Sequence, residues 1–226
     1  MRKSNTVWLF DLDNTLHNAS HQVFGALNVA MTDFIKRELR MNHDEACALR
    51  SHYWRRYGAT LLGLVRHHGV QAAHFLHETH ALPELDTHSH AHDVAALKRL
   101  RGRKYILTNA PAAYAQRVLL LLGIAHLFDG VIPVEKMRMF GHLRPKPDAR
   151  LFKHIAARLR VKPSRCVLVE DTLEHQKSAR AVGMRTVWMQ RWVRLGLARA
   201  HGRMRLARKP GYVDQRVRTL RDLGVR

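Results

Sequence analysis

Two aspartates, Asp11 and Asp13, stand two residues apart at the end of a short apolar run, Val7–Phe10. On an extended segment, residues i and i+2 point the same way, so both carboxylates can face one bound group. A carboxylate can attack phosphorus and form an aspartyl-phosphate. A second acid beside it can protonate the leaving oxygen and then activate a water. Thr108 and Asn109 follow another apolar run and precede a helical pattern. Their hydroxyl, amide and backbone N–H groups are therefore placed to hold phosphate oxygens. Lys146 lies between Pro145 and Pro147, a stiff segment that would fix its ammonium as a point charge on a phosphate. Glu170 and Asp171 close a third apolar run. So many carboxylates cannot crowd a phosphate dianion without a cation. Mg²⁺, which takes one or two carboxylates plus phosphate and water, meets that need, with Asp171 as the natural extra ligand.

These residues need elements that bring them together. Residues 7–10, 105–107, 167–169 and 186–189 are short, continuous and apolar, the pattern of strands buried in a parallel sheet. Helical patterns lie between them over residues 112–122, 148–159 and 178–182, the first and last ending at Gly123 and Gly183. The alternation predicts an α/β fold with a doubly wound, Rossmann-like parallel sheet. Phe10 then gives way to Asp11, Leu107 to Thr108, and Val169 to Glu170 and Asp171. Ligands of open parallel sheets bind outside the carboxyl ends of the strands, so the polar residues are predicted to converge there.

One stretch breaks the alternation. From Ser20 to His92 the apolar residues Val23, Phe24, Leu27, Met31, Phe34 and Ile35 recur at helical spacing. Asn42 and Glu45 then match a capping box opening a second helix through Tyr57, and residues 71–80 form a third pattern. The predicted organisation is a core of residues 1–19 and 93–226 with a small helical cap, residues 20–92, inserted after the first strand.

The 39 Lys and Arg against 18 Asp and Glu give a net charge of +21. Such a field attracts phosphorylated small molecules and also suits nucleic acid, although nucleic-acid binding is not the favoured reading. The basic segment 191–209 reads as an exposed amphipathic helix or an acidic-partner surface, and the histidine-rich stretch 77–92 as a solvated connection or a metal-catching loop. Two cysteines without CxxC spacing suit reduced thiols in a cytoplasm. Apolar runs are too short to span a bilayer, and the N-terminal run lacks a signal-peptide cleavage pattern.

Taken in order, FDLDNTL (residues 10–16), LTNA (107–110), RPKPD (144–148) and VEDT (169–172) resemble the four motifs of the haloacid dehalogenase superfamily. The resemblance implies that Asp11 is a nucleophile, Asp13 a general acid/base, and Thr108 and Lys146 the phosphate grip. It further implies Mg²⁺ held by Asp11, the Asp13 backbone carbonyl and Asp171, with Glu170 nearby. An acid at Asp13 is what the superfamily's phosphoryl-transfer enzymes need and its dehalogenases do not.

FDLDNTLHNAS (10–20), YWRRYGATLLGLVRHHGV (53–70) and RPKPD are similar to the pyrimidine 5′-nucleotidases, which implies UMP and CMP as substrates. In that reading Tyr53, Trp54 and Tyr57 are candidates to contact the base, and a helix lets one or two of the three face a cleft. The alternatives are a phosphatase for sugar phosphates or phosphoglycolate, and a basic nucleic-acid-associated protein whose site is vestigial. One departure stands out. After the Glu-Asp pair this chain has His175 where those enzymes usually carry Asn, so the metal shell is expected to differ.

Overall fold

The structure, a computed structural model, describes residues 5–81, 89–192 and 208–224. Its centre is a six-stranded sheet in the order β3-β2-β1-β6-β7-β8. The strands are β1 (Val7–Phe10), β2 (Arg103–Leu107), β3 (Gly130–Ile132), β6 (Cys166–Glu170), β7 (Arg185–Met189) and β8 (Gln215–Val217), and every pair is parallel. The four expected strands are all present. The three-residue strands β3 and β8 were not among them, being too short for periodicity to register. Burial follows position: β6, central in the sheet, is buried at every residue.

Helices cover both faces. On one, α6 (Ala91–Arg99) and α7 (Ala112–Leu121) place Leu97, Ala115 and Val118 against Phe10, Ile106 and Val169. On the other, α8 (Ala149–Arg158) and α9 (Leu173–Ala181) place Leu151, Phe152, Ile155 and Ala179 against Val7, Leu9 and Leu168. The helix expected over 178–182 thus begins earlier, at Leu173. A two-stranded antiparallel hairpin, β4 (Arg138–Met139) and β5 (His142–Leu143), buries Met139 and Leu143 in the core. Its turn residues, Phe140 and Gly141, both take positive φ, as tight hairpin turns require.

Between β1 and β2 the chain is helical: α1 (Ala19–Gln22), α2 (Phe24–Leu39), α3 (His43–Tyr57), α4 (Thr60–His68) and α5 (Ala72–Thr79). The Asn42–Glu45 capping box opens α3, each side chain bonding the other's backbone N–H, at 2.9 and 3.0 Å. Helix α4 is not marked by periodicity, because its near-continuous apolar run around Gly63 hides the 3.6-residue period. Gly63 is there for contact: a Cβ on it would sit 2.0 Å from the Tyr53 ring, so α3 and α4 pack almost backbone to side chain. Gly58, at φ 74, ends α3, and a Cβ there would meet Pro147 at 2.7 Å. The helical insert therefore leans directly on the segment carrying Lys146.

Of the histidine-rich stretch, His88 falls outside the described residues, while His90 and His92 stack face to face at 5.2 Å. Of the basic segment, residues 193–207 fall outside them. Arg191 pairs with Asp93 at 2.5 Å. Among the described residues no helix is long and apolar enough to cross a membrane.

Candidate active site

Adjacent parallel strands carry their carboxyl ends to one edge. β1 lies between β2 and β6, with Phe10 beside Ile106 and Val169. Asp11 continues the ladder by one bond, its N–H donating to the Val169 carbonyl at 2.9 Å. The chain then turns sharply. Asn14 adopts φ 58, a left-handed conformation that Asn tolerates better than most residues, and Leu16 N–H bonds back to the Leu12 carbonyl. Asn14 braces this turn through Ser20, accepting from its backbone N–H at 2.9 Å and donating to its hydroxyl at 2.8 Å.

Lys146 is the hub. Only 1% exposed, it donates to Asp11 Oδ1 and to Glu170 Oε2, each at 2.7 Å. Burial works against its charge, yet Asp11 and Glu170 together hold its ammonium above the ordinary lysine range. Burial likewise opposes ionisation of Glu170, but Lys146 and then His175 hold its carboxyl below the usual carboxylate range. His175 Nδ1 lies 3.0 Å from Glu170 Oε2, at ion-pair distance though outside hydrogen-bond geometry. The unusual residue of the VEDTLEH segment thus reaches the acid cluster.

Asp11, Glu170 and Asp171 bring carboxylate oxygens within 4.8 Å of one another. Burial and the charge of Glu170 push Asp11 up to about 7, against the pull of Lys146. Burial, then Glu170 and Asp11, push Asp171 well above the carboxylate range. A hard divalent cation would relieve these shifts, and an all-oxygen donor set is what Mg²⁺ takes. The residues present therefore fit the ion. The Asp13 carboxylate is not part of this cluster. It turns instead to Tyr114 Oη, which donates to Oδ1 at 2.7 Å, and to His17 Nε2, 2.8 Å from the same oxygen.

Thr108, 1% exposed, follows β2 and receives the Ala110 N–H on its hydroxyl oxygen at 3.0 Å, leaving its own hydroxyl proton to donate. Asn109 departs from expectation. Its amide is engaged at both ends by the Lys146 backbone, at 2.9 and 3.0 Å, and so grips the lysine segment rather than standing open for a phosphate.

A cleft of about 380 Å³ opens between the helical insert and the core. It is lined by Phe24, Leu27, Met31, Trp54, Phe75 and Leu76, and reaches the core at Asn109 and Pro145, chain neighbours of Thr108 and Lys146. Arg50 crosses its wall, donating to Asn28 Oδ1 at 2.5 Å and Thr32 Oγ1 at 3.1 Å. Of the three aromatic candidates, Trp54 lines this cleft and is 64% exposed. Tyr53 does not: it is buried against α4 with its hydroxyl 2.8 Å from His68 Nε2. Tyr57 also lies outside the lining, its hydroxyl 2.6 Å from His67 Nε2. Helical geometry explains the split, since neighbouring positions face different sides. Nothing in the spacing singles out His17, Tyr114 or Arg50. Tyr114 approaches across 101 residues of chain and Arg50 across 18 and 22, and His17 returns to Asp13 only because of the Asn14 turn.

At its carboxyl edge the open parallel sheet gathers three acids, Asp11, Glu170 and Asp171, around one buried lysine, Lys146. The haloacid dehalogenase-like hydrolase family matches residues 6–183, and the chain belongs to that family. Phosphate metabolism protein 8 of Saccharomyces cerevisiae is 27% identical over 197 residues, 79% of this chain and 59% of the yeast protein. Fructose-1-phosphate phosphatase YqaB of Escherichia coli K12 is 34% identical over 96 residues, 42% of this chain and 48% of that protein. The chain thus spans between about half and three fifths of the curated relatives it matches. Among solved structures, CbbY from Rhodobacter sphaeroides in complex with phosphate superposes with a TM-score of 0.63 at 17% identity, covering 97% of this chain and 96% of that one. At that identity the likeness concerns the fold.

Proposed function

We propose that this protein is a Mg²⁺-dependent phosphomonoesterase acting through an aspartyl-phosphate on Asp11, with pyrimidine nucleoside 5′-monophosphates as substrates. The observation that carries the reading is the buried lysine bridging Asp11 and Glu170 at 2.7 Å beside a third carboxylate. A structural ion pair has little use for the surplus acid, whereas a phosphate site needs both the charge and a cation.

Each residue then has a task. Lys146 holds Asp11 Oδ1, so Oδ2 is the oxygen left to attack phosphorus. The Thr108 hydroxyl donates to a phosphate oxygen. Asp13 gives a proton to the ester oxygen as the P–O bond breaks, then takes one from the water that cleaves the acyl-phosphate. Asp11 and Asp171, with the Asp13 carbonyl, would hold Mg²⁺, and Glu170 supports Lys146. The ion supplies charge neutralisation for phosphate among these acids.

The cleft supports a base rather than a sugar beyond the phosphate. Its lining is largely apolar and aromatic, and hydroxyls buried there without partners are costly. Trp54 offers a face for stacking, and Arg50 and Asn28 offer polar groups for ring carbonyls and amines. A sugar phosphate is the second reading, favoured by the relative named as a fructose-1-phosphate phosphatase.

Measured kcat/KM with Mg²⁺ across UMP, CMP, AMP, GMP, fructose 1-phosphate and phosphoglycolate decides between them. UMP and CMP are expected at the top. A phosphosugar there would overturn the nucleotide assignment alone. Release of phosphate by Asp11→Asn near the wild-type rate would overturn the mechanism.

A further inference from the structure

We infer that His17 and Tyr114 are positioning residues that anchor one oxygen of Asp13 and leave the other, Oδ2, to carry every proton the reaction moves. The inference rests on Asp13 being the general acid/base proposed above.

Both contacts fall on a single atom. Tyr114 Oη donates to Asp13 Oδ1 at 2.7 Å, and His17 Nε2 lies 2.8 Å from the same oxygen. Among the described residues no hydrogen bond reaches Oδ2. The two donors come from separate parts of the chain. His17 is returned by the Asn14 turn, which pairs it with Asp13 as an isolated bridge, and Tyr114 sits in the first turn of α7. They also bond toward each other, Tyr114 Oη lying 3.4 Å from His17 Nε2. His80, at the end of α5 and on the cleft wall, closes the group with its ring edge-on to Tyr114 at 5.8 Å.

Burial separates the anchors from the acid. His17 is 2% and Tyr114 4% exposed, whereas the Asp13 side chain keeps 21% of its surface. His17 Nδ1 is buried with no partner, so Nε2 is the ring nitrogen through which His17 holds Asp13. A carboxylate with one oxygen bound by two donors has its rotamer fixed, and protonation on that oxygen would break a bond. The proton is therefore confined to Oδ2. From there it passes to the ester oxygen as Asp11 bonds to phosphorus, and Oδ2 regains a proton from the attacking water, restoring both aspartates.

Leaving-group dependence of kcat/KM tests this, because kcat/KM reports the first, phosphorylating step. An alkyl ester such as UMP needs the proton; p-nitrophenyl phosphate expels a stable phenolate and does not. Asp13→Asn calibrates the acid's share on the two esters. Tyr114→Phe, which keeps the ring, and His17→Ala are each expected to lower kcat/KM for UMP by roughly 10–100-fold, the scale of a misplaced catalytic group. On p-nitrophenyl phosphate the loss should stay within about threefold. His17→Gln, which restores a donor, should recover part of the UMP rate. Equal losses on both esters, or none, would overturn the inference. If Asp13→Asn itself treated the two esters alike, the acid assignment would fall and the inference with it.

Discussion

Asn109 holds Lys146 by its backbone at both ends: its Oδ1 accepts the Lys146 N–H at 3.0 Å and its Nδ2 donates to the Lys146 carbonyl at 2.9 Å. A residue just past the end of β2 thereby fixes the residue that reaches Asp11 and Glu170, 37 positions further on. Asn109→Ala should leave two buried backbone groups unsatisfied and cost about 1–3 kcal/mol each at most. We expect a lower urea midpoint together with a fall in kcat/KM of roughly tenfold or more, as Lys146 loses its aim. A variant with full activity would show that Pro145 and Pro147 suffice to hold the lysine.

The acid cluster makes stability depend on pH when no metal is bound. Asp11, with an ordinary value of 3.8, sits at about 7 in the fold. Between those values the folded state keeps a proton that the unfolded chain has released, so stability is lost as pH rises through about 7. In metal-free protein Tm should fall from about pH 5 to about pH 8 on this account, and the fall should be shallower in Asp11→Asn. Mg²⁺ should raise Tm more at the alkaline end, where the ligands are ionised. An identical pH slope in wild type and Asp11→Asn would remove Asp11 as its source.

His175 touches Glu170 at 3.0 Å, within the shell that would surround the metal. Its imidazole competes with Lys146 for one carboxylate oxygen, Oε2. We expect His175→Asn to lower the Mg²⁺ concentration giving half-maximal activity, with kcat changed less. A Mg²⁺ titration curve superimposable on that of the wild type would assign His175 to packing alone.

Trp54 and Tyr53 are adjacent in sequence and opposite in role. Trp54→Ala removes an exposed cleft face, so stability should move by no more than about 0.5 kcal/mol. KM for UMP should rise roughly tenfold, the scale of one lost stack. Tyr53→Ala opens a cavity beneath Gly63 and should cost about 3–5 kcal/mol, as other buried aromatics do. Chemical denaturation and steady-state kinetics on the pair separate the two. A Trp54→Ala enzyme with unchanged KM would place the base elsewhere.

The sequence by itself determined the strands that carry the site and the order in which they present it. Val7–Phe10 and the runs inside β2, β6 and β7 are short, continuous and apolar because both faces are covered, a signal that needs no partner to be read. Once those strands are parallel, Asp11, Thr108, Glu170 and Asp171 must share an edge, and the Asn42 capping box is likewise local. What the tertiary structure alone decided is which atoms meet. Lys146 reaches Asp11 across 135 residues and Tyr114 reaches Asp13 across 101, distances over which periodicity carries no information. The division of Tyr53, Trp54 and Tyr57 between core and cleft depended on where α4 packs, and α4 is visible only through the contact that Gly63 permits. Local pattern specifies elements because it reflects burial residue by residue. The pairing of side chains across elements depends on how those elements dock, and that is set by the sum of all their contacts.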